Sequence, residues 1–469
     1  MKKFLIDSFE GGISKYPFKG LPGAYQFGKN LNYRTDNNTL SCNQDFAQEG
    51  SGVIVDTIRF FVPSITGKLY GFGSAGKIYE RATNGTWTLK YSEPDGEIRG
   101  ATEWFCSNGK TYLFWATHTS LHQKEVPGNG GWSDVDANIV VGSHTYTYPK
   151  TNLSNVSYHT MSIVMGNLYI ANGEKLAMVG YDGSYTNEAL RIFKNEHVKT
   201  IHENGSYLMF GTERQDNEEV SSFYLWDTVS LSWNYKKVIS NRNVNGLVFT
   251  DIPIAQIGTD GQLFYADMQT PLPIRKIPGG GYVRPGGVAV DENKALFGIF
   301  GNSDGNNGIY SYGRINKDEN HTLNLEYYIG TCDEIGALCN LNGLTFVSYR
   351  NGSSYYVRRT NSSAKVNGTY YSLELRPDKD FIAQHLWRTV NVHLKSLPSG
   401  TSISCQYRID KGSWKDAKLE NGSTSYSTTN GKQAIFFVGD QGNIFEFALT
   451  LTSSSNSSPE IEVIEVYFD

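Results

Sequence analysis

Cysteine is scarce and unpatterned in this chain of 469 residues. Cys42, Cys106, Cys332, Cys339 and Cys405 are odd in number, scattered, and form no CxxC pair. Neither a disulfide framework nor a cysteine zinc site is signalled, and folding in a reducing compartment fits best. Long apolar runs are also lacking. The opening MKKFLIDSFEGG has only Phe4, Leu5 and Ile6 before Asp7 and Glu10, too short for a signal-peptide core. The expectation is a soluble protein made in a cytoplasm, with no membrane insertion. An excess of charge is missing too, with 42 basic against 47 acidic residues and a net charge of -5. That balance argues against tight binding along a nucleic-acid backbone and is compatible with a mildly acidic wall past which DNA slides. No segment sustains the apolar period of a long helix, so helix should be rare. A Gly-x-Ser-x-Gly elbow, a phosphate loop and a dinucleotide fingerprint are all absent, so no enzyme, catalytic residue or cofactor is expected.

What the sequence has in quantity is strand and turn formers: 13% aromatic residues, with 30 Tyr and 24 Phe, punctuated by 49 Gly. They recur as strand, polar turn, then a strand opening on large apolar residues. The pattern runs through TIRFFVPSITGKLYGFG from Thr57, IRGATEWFCSNGKTYLFWA from Ile98, YHTMSIVMGNLYIANG from Tyr158 and VKTIHENGSYLMFG from Val198. It continues in DIPIAQIGTDGQLFYAD from Asp251, RPGGVAVDENKALFGIFG from Arg284 and DEIGALCNLNGLTFVSY from Asp333. The turn positions Gly67, Gly109, Gly166, Gly205, Gly261, Asn293 and Gly343 average about 46 residues apart, within the range of four-stranded propeller blades. Third strands follow in KIYERA, FYLWD, GIYSYGRI and SYYVRRT, and fourth strands in TWTLKYS and SWNYKKVI. Blades bury both faces, as these dense apolar runs require. The prediction is an all-β chain with a β-propeller of about seven blades over 57–377; unrelated hairpins forming sandwiches are the competing reading.

Residues 1–56, rich in Gly, Pro and Asn through Asn38, predict an extended N-terminal arm that is ordered by lying on a neighbour. Residues 378–469 carry longer alternating strands, TVNVHLKSL, ISCQYRID, AIFFVG, IFEFALTLT and IEVIEVYFD, and predict a C-terminal β-sandwich, with RPDKDFIAQH from Arg376 as the linker.

Few residues suggest chemistry. His118 and His122 have the i, i+4 spacing of a zinc pair, but HTSLH lacks the intervening Glu and reads as strand and turn, so no metal is expected there. His197 and His202 are expected at the surface. NSDGNNG from Asn302 alternates oxygen side chains like a calcium loop but lacks the distal carboxylate, and reads as a hairpin turn. RQDNEEV from Arg214 reads as a solvated charge run. Trp87, Trp104, Trp115 and Trp226 lie in blade strands and are expected to be buried.

FEGGISKYP from Phe9, followed by LPGAYQFGKNLNYRTDNNTL, resembles the opening of bacteriophage tail nozzle and related tail propeller proteins. The resemblance rests on Gly11, Gly12, Ile13, Ser14, Pro17 and Asn32. The C-terminal region, with Tyr407 in its YRID strand and Trp414 after a turn, is similar to sandwiches that end many phage virion proteins. The resemblance implies a virion structural protein: a homo-oligomeric ring in the tail, nozzle or decoration, contributing to assembly and to the path of viral DNA ejection. Its partners would be other tail proteins, with DNA passing non-specifically in a channel and the arm residues making inter-subunit contacts. The alternative is a phage adhesin, a propeller that binds or cleaves host-surface glycans through loops such as the insertion between Leu121 and Tyr158. A cytoplasmic interaction scaffold is a third reading.

Overall fold

The computed structural model describes residues 1–32, 39–127, 131–216, 218–314, 320–377 and 383–469. Among them every regular element is a strand. Seven sheets follow one another in the order in which the chain makes them. The first comprises Ile58–Pro63, Leu69–Gly73, Lys77–Arg81 and Trp87–Ser92, each antiparallel to the next. The second has three strands, Gly100–Phe105, Thr111–Ala116 and Leu121–Val126, and its next segment instead forms a separate hairpin, Ile139–Val141 with His144–Tyr146. The third to sixth sheets begin at Met161–Val164, Glu196–Asn204, Val244–Phe249 and Val288–Asp291, each with four strands. The seventh orders Glu334–Leu341, Leu344–Asn351 and Ser354–Lys365, and takes its last strand, Gln44–Glu49, from the start of the chain.

This is the predicted seven-bladed β-propeller. Six of the seven predicted turns join the first and second strands of a blade. Gly261 is the exception: it lies between Pro253–Ile257 and Gln262–Tyr265, the second and third strands of the fifth blade, whose innermost strand is Val244–Phe249.

The chain divides into two compact units, one of residues 48–307 and 330–359, the other of 1–47, 308–329 and 360–469. Within the first, blades are joined by apolar seams. Phe60, Tyr70 and Phe72 pack with Leu113 and Trp115 between the first and second blades, and Trp104 and Phe114 with Leu168 and Ile170 between the second and third. Between the seventh and first, Ile58, Leu69 and Tyr79 meet Ala337, Phe346 and Val357. Near the axis, space is tighter still. A Cβ on Gly336 would stand 2.2 Å from the Ile58 carbonyl oxygen, so only glycine lets the seventh blade's inner strand approach the first.

A half-buried carboxylate fastens the same seam. Glu49 accepts hydrogen bonds from Arg81 Nε at 2.6 Å, Arg81 Nη2 at 2.9 Å and Trp87 Nε1 at 3.0 Å in the first blade, and from Arg359 in the seventh. Burial would raise its pKa, but these donors reverse the sign and hold it below the usual carboxylate range.

The second unit holds a sandwich. One sheet orders Leu31–Asn32, Leu40–Cys42, Glu460–Phe468, His385–Leu394 and Gln433–Gly442, with Lys2–Ile6 also pairing Glu460–Phe468. The other orders Phe27–Lys29, Gly368–Tyr371, Phe445–Thr452, Ser402–Ile409 and Lys415–Asp416, with Ser425–Tyr426 pairing Ser402–Ile409. Its core is aromatic: the fully buried Trp387 stacks on Phe445 at 4.7 Å and packs against Phe468.

The first 56 residues therefore differ from the predicted arm. They supply short strands to both sandwich sheets and the closing strand of the seventh blade, because Phe9, Ile13, Leu31 and Leu40 are apolar enough to be buried at 0–2% exposure within the chain itself. The sandwich likewise begins earlier than expected, at Gly368–Tyr371, whose Tyr370 is fully buried among Phe9, Tyr25 and Phe447. Of the predicted linker, 378–382 lies outside the described residues.

Glu49→Ala is expected to lower stability by about 2–4 kcal/mol, the cost of taking the charged acceptor from Arg81, Trp87 and the partly exposed Arg359, with Glu49→Gln milder; urea unfolding followed by tryptophan fluorescence measures it. Glu465, hydrogen-bonded by Lys3 at 2.5 Å, His393 at 3.0 Å and Tyr467 at 3.0 Å, has its pKa pulled down to about 2. Its contribution is present above the unfolded value of about 4.3 and is lost as pH falls toward 2. The Tm of Glu465→Gln should accordingly trail wild type at pH 7 and converge with it by about pH 2.

Candidate functional site

The first strand of each blade lies innermost, and all seven run the same way along the axis. Phe60, Ala101, Met161, Thr200, Ile201, Leu247, Val248 and Val288 surround an axial cavity of about 230 Å³. Its wall is mostly apolar, with the hydroxyls of Thr160 and Thr200 and the imidazole of His202.

Charged residues gather where these inner strands begin, and so at one mouth of the cavity. Glu334 opens the seventh inner strand and is 7% exposed in its side chain. It receives Arg59 Nε of the first at 3.2 Å and Arg284 Nε, ahead of the sixth, at 3.0 Å. Arg59 also binds Glu97, which pairs at 3.4 Å with Arg99 at the entrance to the second blade. Arg284 Nη1 donates to Tyr158 Oη, ahead of the third, at 2.7 Å. Lys199 of the fourth lies 5.6 Å from the Tyr158 ring centre, pairs with Glu213 at 2.9 Å, and donates to Asn245 of the fifth at 3.1 Å. The network thus reaches every blade. Burial would depress the Arg284 pKa, but Tyr158 and Glu334 outweigh it and raise the value, so the guanidinium stays charged. Burial likewise raises the Tyr158 phenol.

Chemically the arrangement favours rigidity. Each carboxylate here faces a cation instead of a second acid across a cleft, the geometry that acid–base hydrolysis of sugars needs. The same pattern recurs further out. Glu196 receives Tyr224 Oη at 2.5 Å and Lys236 at 2.8 Å, and Glu80 pairs with Lys68 at 3.1 Å and Lys90 at 3.2 Å.

The structure also places the residues singled out from the sequence. The arm residues are engaged within their own chain. Gly11 and Gly12 are buried in a tight turn, and the Ile13 amide donates to the Leu323 carbonyl at 2.8 Å. Ser14 Oγ donates to the Lys19 carbonyl at 2.6 Å, the Pro17 carbonyl accepts from the Glu374 amide at 2.7 Å, and Asn32 pairs with Ser41. The buried Gly11, Gly12 and Ile13 therefore have little surface to offer another subunit. Residues 33–38 of the Asn-rich stretch lie outside the described residues. In NSDGNNG, the Asn302 side chain caps its own loop through the amides of Asp304 and Asn306 and donates to the Pro278 and Gly280 carbonyls, so its oxygens serve a loop junction. In RQDNEEV, Arg214 is clamped by Asp216 and Glu218; Asn217 lies outside the described residues. Trp87, Trp104, Trp115 and Trp226 are 0–3% exposed, with every indole N–H donated. His202 is half-buried rather than on the open surface, because the inner strand of the fourth blade turns it toward the axis, and its ring meets Phe249 at 4.7 Å. His118 and His122 are not drawn into one ligand set; His122 is instead grouped with Glu93 and Asp95. Sequence reasoning missed the axial network altogether, since its members lie one per blade with no common motif. Their position just before or within an inner strand was the available signal.

No protein-family model matches this chain, and no curated protein matches it either. Among solved structures, it is similar to the WD40 β-propeller domain of Doa1, at 15% identity over 68% of this chain and 97% of that one, with a TM-score of 0.45. It is likewise similar to the β-propeller domain of Myceliophteria thermophila Cps50 (Swd1), at 10% identity over 67% and 98%, TM-score 0.46. A streptogramin B lyase aligns at 12% identity over 67% and 96%, TM-score 0.44.

Glu334→Gln is expected to loosen the mouth without unfolding the blades. Hydrogen exchange measured by mass spectrometry should speed up at Ile58–Pro63 and around Tyr158, which share its two arginines, and stay unchanged in the fourth blade's outer strands.

Proposed function

We propose that this chain is a structural protein of a bacteriophage tail, working as a stiff element of a ring that contributes to tail assembly and to the path of DNA ejection. The observation that carries the reading is how the carboxylates between blades are used. Glu49 and Glu334 join strands of different blades, and each is satisfied by cations. Cross-linking of that kind resists shear between blades and leaves those acids no free role as proton donors. The sequence resemblance at FEGGISKYP, and at the YRID strand with Trp414, supports the tail setting. The mildly acidic balance, net charge -5, suits a wall that DNA passes without sticking.

Sedimentation velocity and negative-stain microscopy of the purified protein, alone and mixed with the other tail proteins of the same phage, test this. Closed rings, or incorporation into tail particles, are expected. A strict monomer that enters no particle and releases sugar from host polysaccharide would overturn it.

A further inference from the structure

Outside the axial network, one cluster of ligating groups sits between the first and second blades. Glu93 follows the first blade's outer strand, Asp95 lies in the turn after it, and His122 belongs to the second blade's third strand. One ligand atom from each lies within 4.8 Å of the others. Carboxylates alone would say little, but the histidine adds an independent sign. His122 is 5% exposed and its Nε2 has no hydrogen-bond partner, while Asp95 Oδ2 stands 3.5 Å from it. Buried polar nitrogens are ordinarily satisfied, so this atom calls for a partner.

The ring is held from two sides. Asp136 Oδ2 lies 2.9 Å from Nδ1, and Asp136 is itself fixed through Oδ1 by the Gln123 amide at 3.1 Å. A proton on Nδ1 directed at Asp136 leaves the Nε2 lone pair facing Asp95 Oδ2, with Glu93 Oε2 3.9 Å from Nδ1 on the same ring; a carboxylate on the second nitrogen is the pairing that orients metal-bound imidazoles. Trp115 stacks on the ring at 5.7 Å and 12°, and its Nε1 donates to Glu93 Oε2 at 2.7 Å. Glu93 is thus fixed but keeps lone pairs to give. Asp95, with half its side chain exposed, is free to close onto an ion from the solvent side.

We infer that Glu93, Asp95 and His122 bind a divalent transition-metal cation of the zinc class, with Asp136 orienting the imidazole. One nitrogen and two carboxylate oxygens suit such an ion, and ligands at about 2.0–2.2 Å from a tetrahedral centre stand roughly 3.3–3.6 Å apart, close to the His122–Asp95 separation. The ion would pin the turn after the first blade to the second blade, which has three strands among the described residues.

Isothermal titration of chelator-stripped protein with zinc chloride, with Trp115 fluorescence as a second readout, tests the assignment. One equivalent per chain is expected, with a fluorescence change at the same stoichiometry. Asp95→Asn, half exposed and so tolerated by the fold, and His122→Gln should each weaken binding at least tenfold. Calcium should bind at least tenfold more weakly than zinc. Absence of binding, equal affinity in Asp95→Asn, or equal affinity for calcium would overturn it.

Discussion

A ring of sheets must end beside the place where it began, and closure at that seam is the constraint on which the rest of this propeller depends. Here the seam is double. Gln44–Glu49 completes the seventh blade as its outermost strand, and Glu49 then binds Arg81 and Trp87 of the first blade as well as Arg359 of the seventh. Apolar contact between the two blades supplies most of the attraction, while the carboxylate sets register, because its oxygens are satisfied only when all of its donors are in place. Inner strands crowd the axis so closely that Gly336 has no room for a side chain.

Much of this architecture was legible in the sequence, and the rest was hidden for identifiable reasons. Blade hairpins announce themselves through a polar turn followed by an aromatic strand, because each hairpin is local. The fifth blade was read one strand out of phase: VNGLVF has no strong turn signal after it, whereas Gly258 and Gly261 punctuate the next connection. The beginning of the chain was misleading for a different reason. Its glycines and prolines do break regular structure, but Gln44–Glu49 and Lys2–Ile6 pair with strands hundreds of residues away, and no local pattern encodes a distant partner. The candidate sites follow the same rule. The burial of four tryptophans was readable from their strands, whereas the axial network and the grouping of His122 with Glu93 and Asp95 arise only once blades are placed side by side.

The polar interior is knit by ion pairs. Its glutamates are given guanidinium, ammonium or indole partners, and those donors hold Glu49 below the usual carboxylate range. All five cysteines are free, and burial pushes the Cys42 thiol up to about 11.

The long span between Glu49 and Arg359, 310 residues, has a consequence for how the molecule comes into being. At a ribosomal pace of about 5–20 residues per second, the strand that seals the propeller waits some 15–60 s for the chain that will receive it. Through that interval its backbone amides and carbonyls form an unpaired edge, open to any neighbouring nascent chain. Gln44–Glu49 carries Gln44, Asp45, Gln48 and Glu49 among its six residues, a polar composition that keeps such an edge hydrated until its own sheet arrives.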